Sequence, residues 1–375
     1  MIKDNLLQRY FEEKEKNAIK YKSDIEEIIY LEMRNKSENM KTILPVVLGL
    51  KVTDRCNFRC PYCFVLEKNS KDMSLEMIKK IIEGFDGQKP YRIYLTGGEP
   101  FMNHQIEEII QYIKSLNIAL SIHTNASLLN EKNMEYIKRY FTYRDFLQIS
   151  IDTAESKKFN SIRKNGNLDE IINNCISLSN NQIRFMVNMV ITNKNVNDMK
   201  NVYILAEKIK AEQISFSPLM DMGNDDNIYL PNDEELLNSF NDVLEYYFSS
   251  NKKVIIKQDP LPVPWGNEKI NKYICHSLLI CPAGKTEVEI DMYGNVYVCP
   301  FLYKKEFCMG NINENSLVDI WNNEKFLLFS QKKWCNNKVC QSCNAFEVCN
   351  GGCIAYAINN SKDCDKRCDK QRLRK

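Results

Sequence analysis

No stretch of this 375-residue sequence is both long and apolar enough to span a membrane. Nor does it open as an export signal would: Met1-Ile2-Lys3-Asp4 runs into charged sequence, not an apolar stretch. Charge of one sign is lacking too. Lysine plus arginine number 51 and aspartate plus glutamate 49, a net charge of +2. That balance gives no reason to invoke nucleic acid or a membrane surface as a partner. What the chain does hold is cysteine, 15 residues of it. Without an export signal, so many thiols point to metal ligation in a reducing cytoplasm rather than to disulfides. Apolar content of 44% supports a real core, and the length leaves room for one large domain and a smaller one.

Three thiols are packed into Cys56-Asn57-Phe58-Arg59-Cys60-Pro61-Tyr62-Cys63, directly after the apolar run Val46 to Val52. Paired thiols after a buried strand suit redox chemistry, structural zinc or iron. The count of three favours iron. Three thiolates on a four-iron cluster leave one iron without a protein ligand, as a catalytic zinc keeps one open position. Arg55 and Arg59 favour the thiolate forms, and Phe58, Tyr62 and Phe64 can keep water away. The bland alternative is a zinc knuckle or surface thiols.

Residues 1 to 45 are charged and helix-prone, and read as a pair of helices covering one end of the next domain. From Val46 the pattern alternates. Strands are predicted over 46–53, 91–96, 119–124, 146–151, 184–192 and 213–217, with helices near 74–85, 104–116, 130–140, 168–179 and 197–210. In the second helix Ile106, Ile109, Ile110, Ile113 and Leu116 share a face. Six strands separated by five helices predict a parallel α/β sheet closing partway into a (β/α)6, TIM-like barrel. Ligands in such sheets sit at the carboxyl ends of the strands, where Cys56 begins. Three more stations fall at matching ends. These are Thr96-Gly97-Gly98-Glu99-Pro100, whose glycines permit close backbone approach, the pair Ser150 and Asp152 on one strand face, and Arg163. Each taken alone also reads as an ordinary turn or polar strand end.

The spacing C-x3-C-x2-C after a strand resembles the cluster loop of the radical S-adenosylmethionine (SAM) enzymes. That resemblance implies that Cys56, Cys60 and Cys63 hold a [4Fe-4S] cluster whose open iron binds SAM. It likens Gly97, Gly98 and Glu99 to the motif that holds the cofactor's amino group. Ser150 and Asp152 then contact its ribose or methionine end, Arg163 binds its carboxylate, and Phe64 joins the cofactor-binding residues. A guanidinium suits a carboxylate because its fork is planar and always charged.

The stretch 218–270 is broken by prolines around one good helix (233–248) and reads as a linker with a bridging helix. Thiols then return: Cys275, Cys281, a hairpin signal Tyr293-Gly294-Asn295, Cys299, the run Cys340, Cys343, Cys349, Cys353, and finally Cys364 and Cys368. This pattern resembles the SPASM domain, which in that family carries two auxiliary four-iron clusters and is typically appended to peptide-modifying enzymes. By that resemblance Cys275, Cys281, Cys299 and Cys353 hold one cluster. Cys340, Cys343, Cys349 and a late cysteine hold the other, with Cys368 preferred to Cys364. Cys175 shares an apolar face with Ile171, Ile172 and Leu178 and reads as core, while Cys308 and Cys335 have no assigned role.

The resemblances together imply four units: a helical segment 1–45, a radical SAM core 46–225, a linker 226–270 and a SPASM domain 271–375. They imply reductive cleavage of SAM to a 5′-deoxyadenosyl radical that abstracts hydrogen from a ribosomally made peptide, for crosslinking or epimerisation. The partners expected are that peptide or protein substrate, a low-potential flavodoxin- or ferredoxin-type donor, and a separate leader-peptide-binding protein, all in the cytoplasm. The runner-up is an anaerobic sulfatase-maturing enzyme or one acting on a cofactor precursor. Sulfatase-maturing members carry an aspartate just after the cysteine that here is Cys299, and this chain has Pro300, which offers no carboxylate. A non-catalytic zinc or electron-transfer protein is the rival from another class.

Overall fold

A computed structural model describes residues 41–63, 65, 71–220, 229–251, 254–257, 281–330, 335–343, 346 and 351–365. Most of the expected N-terminal helices, and Phe64, Cys275, Cys349 and Cys368, lie outside these residues. The six apolar runs form β1 Val47–Thr53, β2 Arg92–Gly97, β3 Ala119–Thr124, β4 Phe146–Ser150, β5 Phe185–Ile191 and β6 Gln213–Pro218. They lie side by side in chain order, each parallel to the next. The crossovers are α1 Leu75–Glu83, α2 Ile106–Ser115, α3 Glu131–Tyr140, α4 Ser156–Ile162 with α5 Leu168–Asn180, and α6 Met199–Lys208.

Local chemistry sets these elements. Ser74 caps α1 by accepting from the Met77 N–H at 3.2 Å, and Ile78, Ile81 and Ile82 bury its inner face. In α2 the expected face is the buried one, carried by Ile106, Ile109, Ile110 and Ile113. Against these helices pack Leu48, Leu50, Ile93, Leu120, Leu147 and Val187, one face of the strands, in a single core. Cys175 of α5 is fully buried there, as its apolar face implied.

The chain departs from expectation in three places. A seven-residue helix, α4, precedes the predicted α5. The stretch read as a linker supplies one more βα unit: α7 Asp233–Ser249, capped by Asn232, leads to β7 Ile255–Lys257, which pairs in parallel with β6. The hairpin after Cys281, β8 Glu287–Ile290 with β9 Asn295–Tyr297, is not a separate layer. Strand β8 pairs in parallel with β1, from Val47 opposite Glu287 to Leu50 opposite Ile290. With β10 Gly310–Asn311 the result is one sheet in the order β10-β9-β8-β1-β2-β3-β4-β5-β6-β7. The fold is thus a partial (β/α) barrel whose first strand also carries the cysteine-rich C-terminal region. Among the described residues, no helix is long and apolar enough to cross a membrane.

Candidate active site

The cysteine loop starts where β1 ends and is pinned from several sides. Phe58 buries its ring in the core, and the Arg59 N–H donates to the Lys164 carbonyl at 3.0 Å. Asn57 donates to Ser127 at 2.8 Å and accepts from Asn125 at 2.9 Å, tying the loop to the end of β3. Arg55 pairs with Asp72 at 2.5 Å, and a different cation, Arg163, places its Nη1 4.0 Å from the Cys60 Sγ. Cys56, Cys60 and Cys63 are all half-buried and near enough to interact. Burial pushes the Cys60 thiol up to about 11, and Arg163 draws it back down. A metal that takes such a thiol displaces its proton, so burial is no barrier to ligation.

The two glycines at the end of β2 exist for this loop. A Cβ on Gly97 would stand 2.1 Å from the Thr53 carbonyl oxygen, and one on Gly98 would stand 2.1 Å from that of Arg55. The close approach expected of them is therefore to the backbone leading into Cys56. Two hydrogen bonds of 2.8 Å lock it, from the Gly98 N–H to Thr53 and from the Glu99 N–H to Arg55. Glu99 turns its carboxyl inward, fully buried, and accepts from Thr124 Oγ1 and the Asn125 N–H at 2.7 Å and from the Phe101 N–H at 3.3 Å. Burial pushes it up to about 7 against those donors.

At the end of β4 Asp152 is fully buried and accepts from three groups: the Tyr62 hydroxyl, Arg163 Nε at 2.7 Å and the Val190 N–H at 2.9 Å. Arg163 is thus held between Asp152 and Cys60. Ser150 is half-buried, and its hydroxyl makes no hydrogen bond among the described residues. The Tyr62–Asp152–Arg163 network was not foreseen, because its members lie 90 and 11 residues apart in sequence.

In the C-terminal region Cys281, Cys299 and Cys353 converge closely enough that each raises the cost of ionising a neighbour. Cys340 lies within hydrogen-bonding reach of both Cys335 and Cys364, which are buried. Cys335 thereby gains neighbours that its spacing did not suggest, and Cys364 stands beside Cys340 as well. The chain folds back to bring it there: Asp365 accepts from the Cys353 N–H at 3.1 Å and donates its own N–H to the Gly351 carbonyl at 2.8 Å. Cys308 lies elsewhere, its thiol 3.3 Å from the Gly310 carbonyl oxygen.

Strand register also defines an inner face, opposite the helices. Lys51 of β1, Tyr94 of β2, His123 of β3, Ser150 of β4 and Glu289 of β8 belong to it. Polar residues alternating with Leu48, Leu50, Ile93 and Ile122 were the signal in the sequence that could have revealed this lining.

The profile of the radical SAM superfamily matches residues 50–206, and that of SPASM, an iron–sulfur cluster-binding domain, matches residues 281–344. An uncharacterised protein of Methanocaldococcus jannaschii, MJ0907, is 31% identical over 290 residues, covering 73% of this chain and 91% of that one. The chain belongs to the radical SAM superfamily. This radical SAM/SPASM enzyme is also 25% identical to the antilisterial bacteriocin subtilosin biosynthesis protein AlbA of Bacillus subtilis, over 85% of this chain and 69% of AlbA. It is 24% identical to a cysteine-type anaerobic sulfatase-maturating enzyme of Clostridium novyi, over 80% of this chain and 85% of the relative. Among solved structures, Streptococcus suis SuiB bound to precursor peptide SuiA superposes with a TM-score of 0.73 at 18% identity, covering 90% of this chain and 78% of SuiB. Family membership implies SAM and iron–sulfur clusters as cofactors. The residues present fit them, with three half-buried thiols in one pinned loop and a second group of three around Cys299.

Proposed function

We propose that this radical SAM/SPASM enzyme modifies a ribosomally made peptide. The observation that carries the reading is its likeness over 85 to 90% of the chain to two proteins, AlbA, named for biosynthesis of a bacteriocin, by sequence, and SuiB, solved with a precursor peptide bound, by fold. A polar inner face beneath the cysteine loop agrees with a substrate rich in amide groups. The sulfatase-maturating relative supports a second reading, against which stands Pro300, next to Cys299, where that activity calls for a carboxylate.

In this reading Cys56, Cys60 and Cys63 hold the SAM-binding cluster. When bound, the cluster and SAM together supply a 5′-deoxyadenosyl radical. The protein's residues orient and enclose. Gly97 and Gly98 set the height of the loop over β2, and Glu99 ties the ends of β2 and β3 together. With the Glu99 carboxyl already filled by three donors, the ammonium group falls to backbone carbonyls of the same stretch. Arg163, oriented by Asp152, keeps Nη groups for the cofactor's carboxylate, and Ser150 offers a hydroxyl beside it. Phe58, and Phe64 by its sequence position, exclude water. Cys275, Cys281, Cys299 and Cys353 hold one auxiliary cluster, and Cys340, Cys343 and Cys349 hold the other. Its fourth ligand is assigned to Cys364, which lies within reach of Cys340, in place of the Cys368 preferred from loop length.

The divisions 46–225, 226–270 and 271–375 stand as our proposed units. A flavodoxin- or ferredoxin-type donor, a leader-peptide-binding protein and a cytoplasmic site of action complete the proposal. The test is mass spectrometry on anaerobically reconstituted enzyme with peptides encoded by short reading frames beside the gene. The expected product is about two mass units lighter for a crosslink, or equal in mass for an epimer, by hydrogen bookkeeping at the reacting carbon. Efficient conversion of a sulfatase-motif peptide to formylglycine, with no change in the neighbouring peptides, would favour the second reading.

A further inference from the structure

Glu289 lies on the inner face of β8, opposite Gly49 of β1. Its carboxyl occupies space that only glycine leaves open, since a Cβ on Gly49 would stand 2.5 Å from its Cδ and both oxygens. One oxygen accepts from the Tyr94 hydroxyl and the other from the Tyr303 hydroxyl at 3.0 Å. It is 1% exposed and forms no salt bridge among the described residues. The other buried carboxyls of the site differ. Glu99 is held mainly by backbone N–H groups and Asp152 by a cation. A carboxyl buried against two phenols, with the Lys51 charge near it but not paired to it, costs stability and is a common mark of proton chemistry. Burial pushes Glu289 up to about 8, so the carboxylate form that can accept a proton grows as pH rises through that value.

Tyr303, half-buried like Tyr94, has the Tyr297 ring edge-on at 4.8 Å and Lys51 Nζ 5.2 Å from its ring centre. Lys51 belongs to the inner face, so the Tyr303 ring borders the space in which a substrate would lie. On the other side Tyr94 stacks on His123 at 5.0 Å, which fixes the second phenol.

We propose that Tyr303 and Glu289 form a proton-accepting dyad for the substrate, an inference that rests on the peptide reading above. Once a substrate carbon has lost its hydrogen atom, an N–H, O–H or S–H group next to that carbon meets the Tyr303 oxygen. The heteroatom–hydrogen bond breaks as its proton passes to that oxygen. The phenol's own proton passes to the Glu289 carboxylate, where a new O–H bond forms. The unpaired electron stays on the substrate, so no oxidant enters this step. Tyr303 is the catalytic residue, and Glu289 acts through it.

The experiment is anaerobic turnover of synthetic peptides encoded beside the gene, with 5′-deoxyadenosine and modified peptide quantified separately. Tyr303→Phe and Glu289→Gln should each lower peptide modification about a hundredfold, the usual scale for a lost general base. Deoxyadenosine formation should fall far less, so that cofactor cleavage runs uncoupled from product. Glu289→Asp should recover part of the loss, and the double variant should be no worse than the worse single variant, as for residues acting as one unit. Iron and sulfide content check that each variant is folded. If Glu289→Gln loses its iron, Tyr303→Phe, which removes a single oxygen, decides the matter alone. Modification by Tyr303→Phe within about threefold of wild type, or losses that multiply in the double variant, would overturn the dyad. A wild-type enzyme that cleaves SAM and leaves every peptide unmodified would instead overturn the peptide reading.

Discussion

Gly98→Ala is the smallest change that tests how the cysteine loop is held. The added Cβ would stand 2.1 Å from the Arg55 carbonyl oxygen, 2.5 Å from its carbon and 3.0 Å from the Asp54 oxygen. Ordinary contact begins at 3.4 Å, so 1.3 Å of movement is required at the tightest point. A side chain could swing aside, but these are backbone atoms. They are fixed by the Gly98–Thr53 and Glu99–Arg55 hydrogen bonds, both 2.8 Å. The displaced residue, Arg55, is the one before Cys56. Overpacking of this kind costs about 1–3 kcal/mol, which the large core should tolerate. The effect on chemistry should be larger, because a misplacement of about 1 Å can cost a hundredfold in rate. We therefore expect SAM cleavage by Gly98→Ala to fall about a hundredfold, measured as 5′-deoxyadenosine by chromatography, with the auxiliary iron retained. Gly87→Ala is the control: its backbone is left-handed, but nothing lies within 4 Å of the new Cβ, and cleavage should be unchanged. Cleavage by Gly98→Ala within about threefold of wild type would refute the claim that these glycines set the loop's position.

The same contacts carry other expectations. Arg163→Ala leaves Asp152 buried without its cation, so stability should fall by about 3–5 kcal/mol and SAM affinity roughly ten- to hundredfold; melting and equilibrium binding check both, and unchanged binding would move the carboxylate contact elsewhere. Cys364→Ser should lower iron content and alter the visible spectrum, whereas Cys368→Ser should do little; the reverse result would restore Cys368 as the ligand. Glu99 and Glu289 are raised to about 7 and about 8, against about 4.3 unfolded, so both bind protons more tightly in the folded chain. Their contribution to stability is therefore complete below about pH 4 and is lost as pH rises through those values. Anaerobic melts should accordingly fall between about pH 4 and 8 and level off above, and Glu289→Gln, facing Lys51, Tyr94 and Tyr303, should make that fall shallower. A slope unaffected by the substitution would show that Glu289 is not protonated in the folded enzyme.

The strands and helices of the barrel were legible because each is a local pattern. Val47–Thr53 and its five companions are short apolar runs bounded by polar turns, and the structure places them within a residue of expectation. Helix α4 escaped notice because Ser156–Ile162 is one short, mostly polar stretch, and β7 because three residues carry no period. The pairing of β8 with β1 has no local signature at all, since its partners are 240 residues apart. For the site, spacing singled out the thiols, but the residues that surround them came only from the fold. Cys335 and Cys364 beside Cys340, and Tyr62 and Arg163 around Asp152, are long-range neighbours. The glycines at the end of β2 do mark a close approach, yet what approaches is the chain itself. Glu289 was visible as a charged residue shortly before the hairpin signal at Gly294, and only the register with Gly49 and the two phenols turns it into a candidate for proton transfer.

The central claim, that this radical SAM enzyme acts on a peptide carbon, is tested most directly by isotope transfer. Peptides encoded beside the gene would be synthesised with deuterium on their side-chain and α-carbons and turned over anaerobically with SAM. Deuterium should appear in 5′-deoxyadenosine, in step with peptide modification, and both should vanish when Cys56, Cys60 and Cys63 are replaced by alanine. Rapid SAM cleavage with no deuterium in 5′-deoxyadenosine and no change in the peptides would contradict the account.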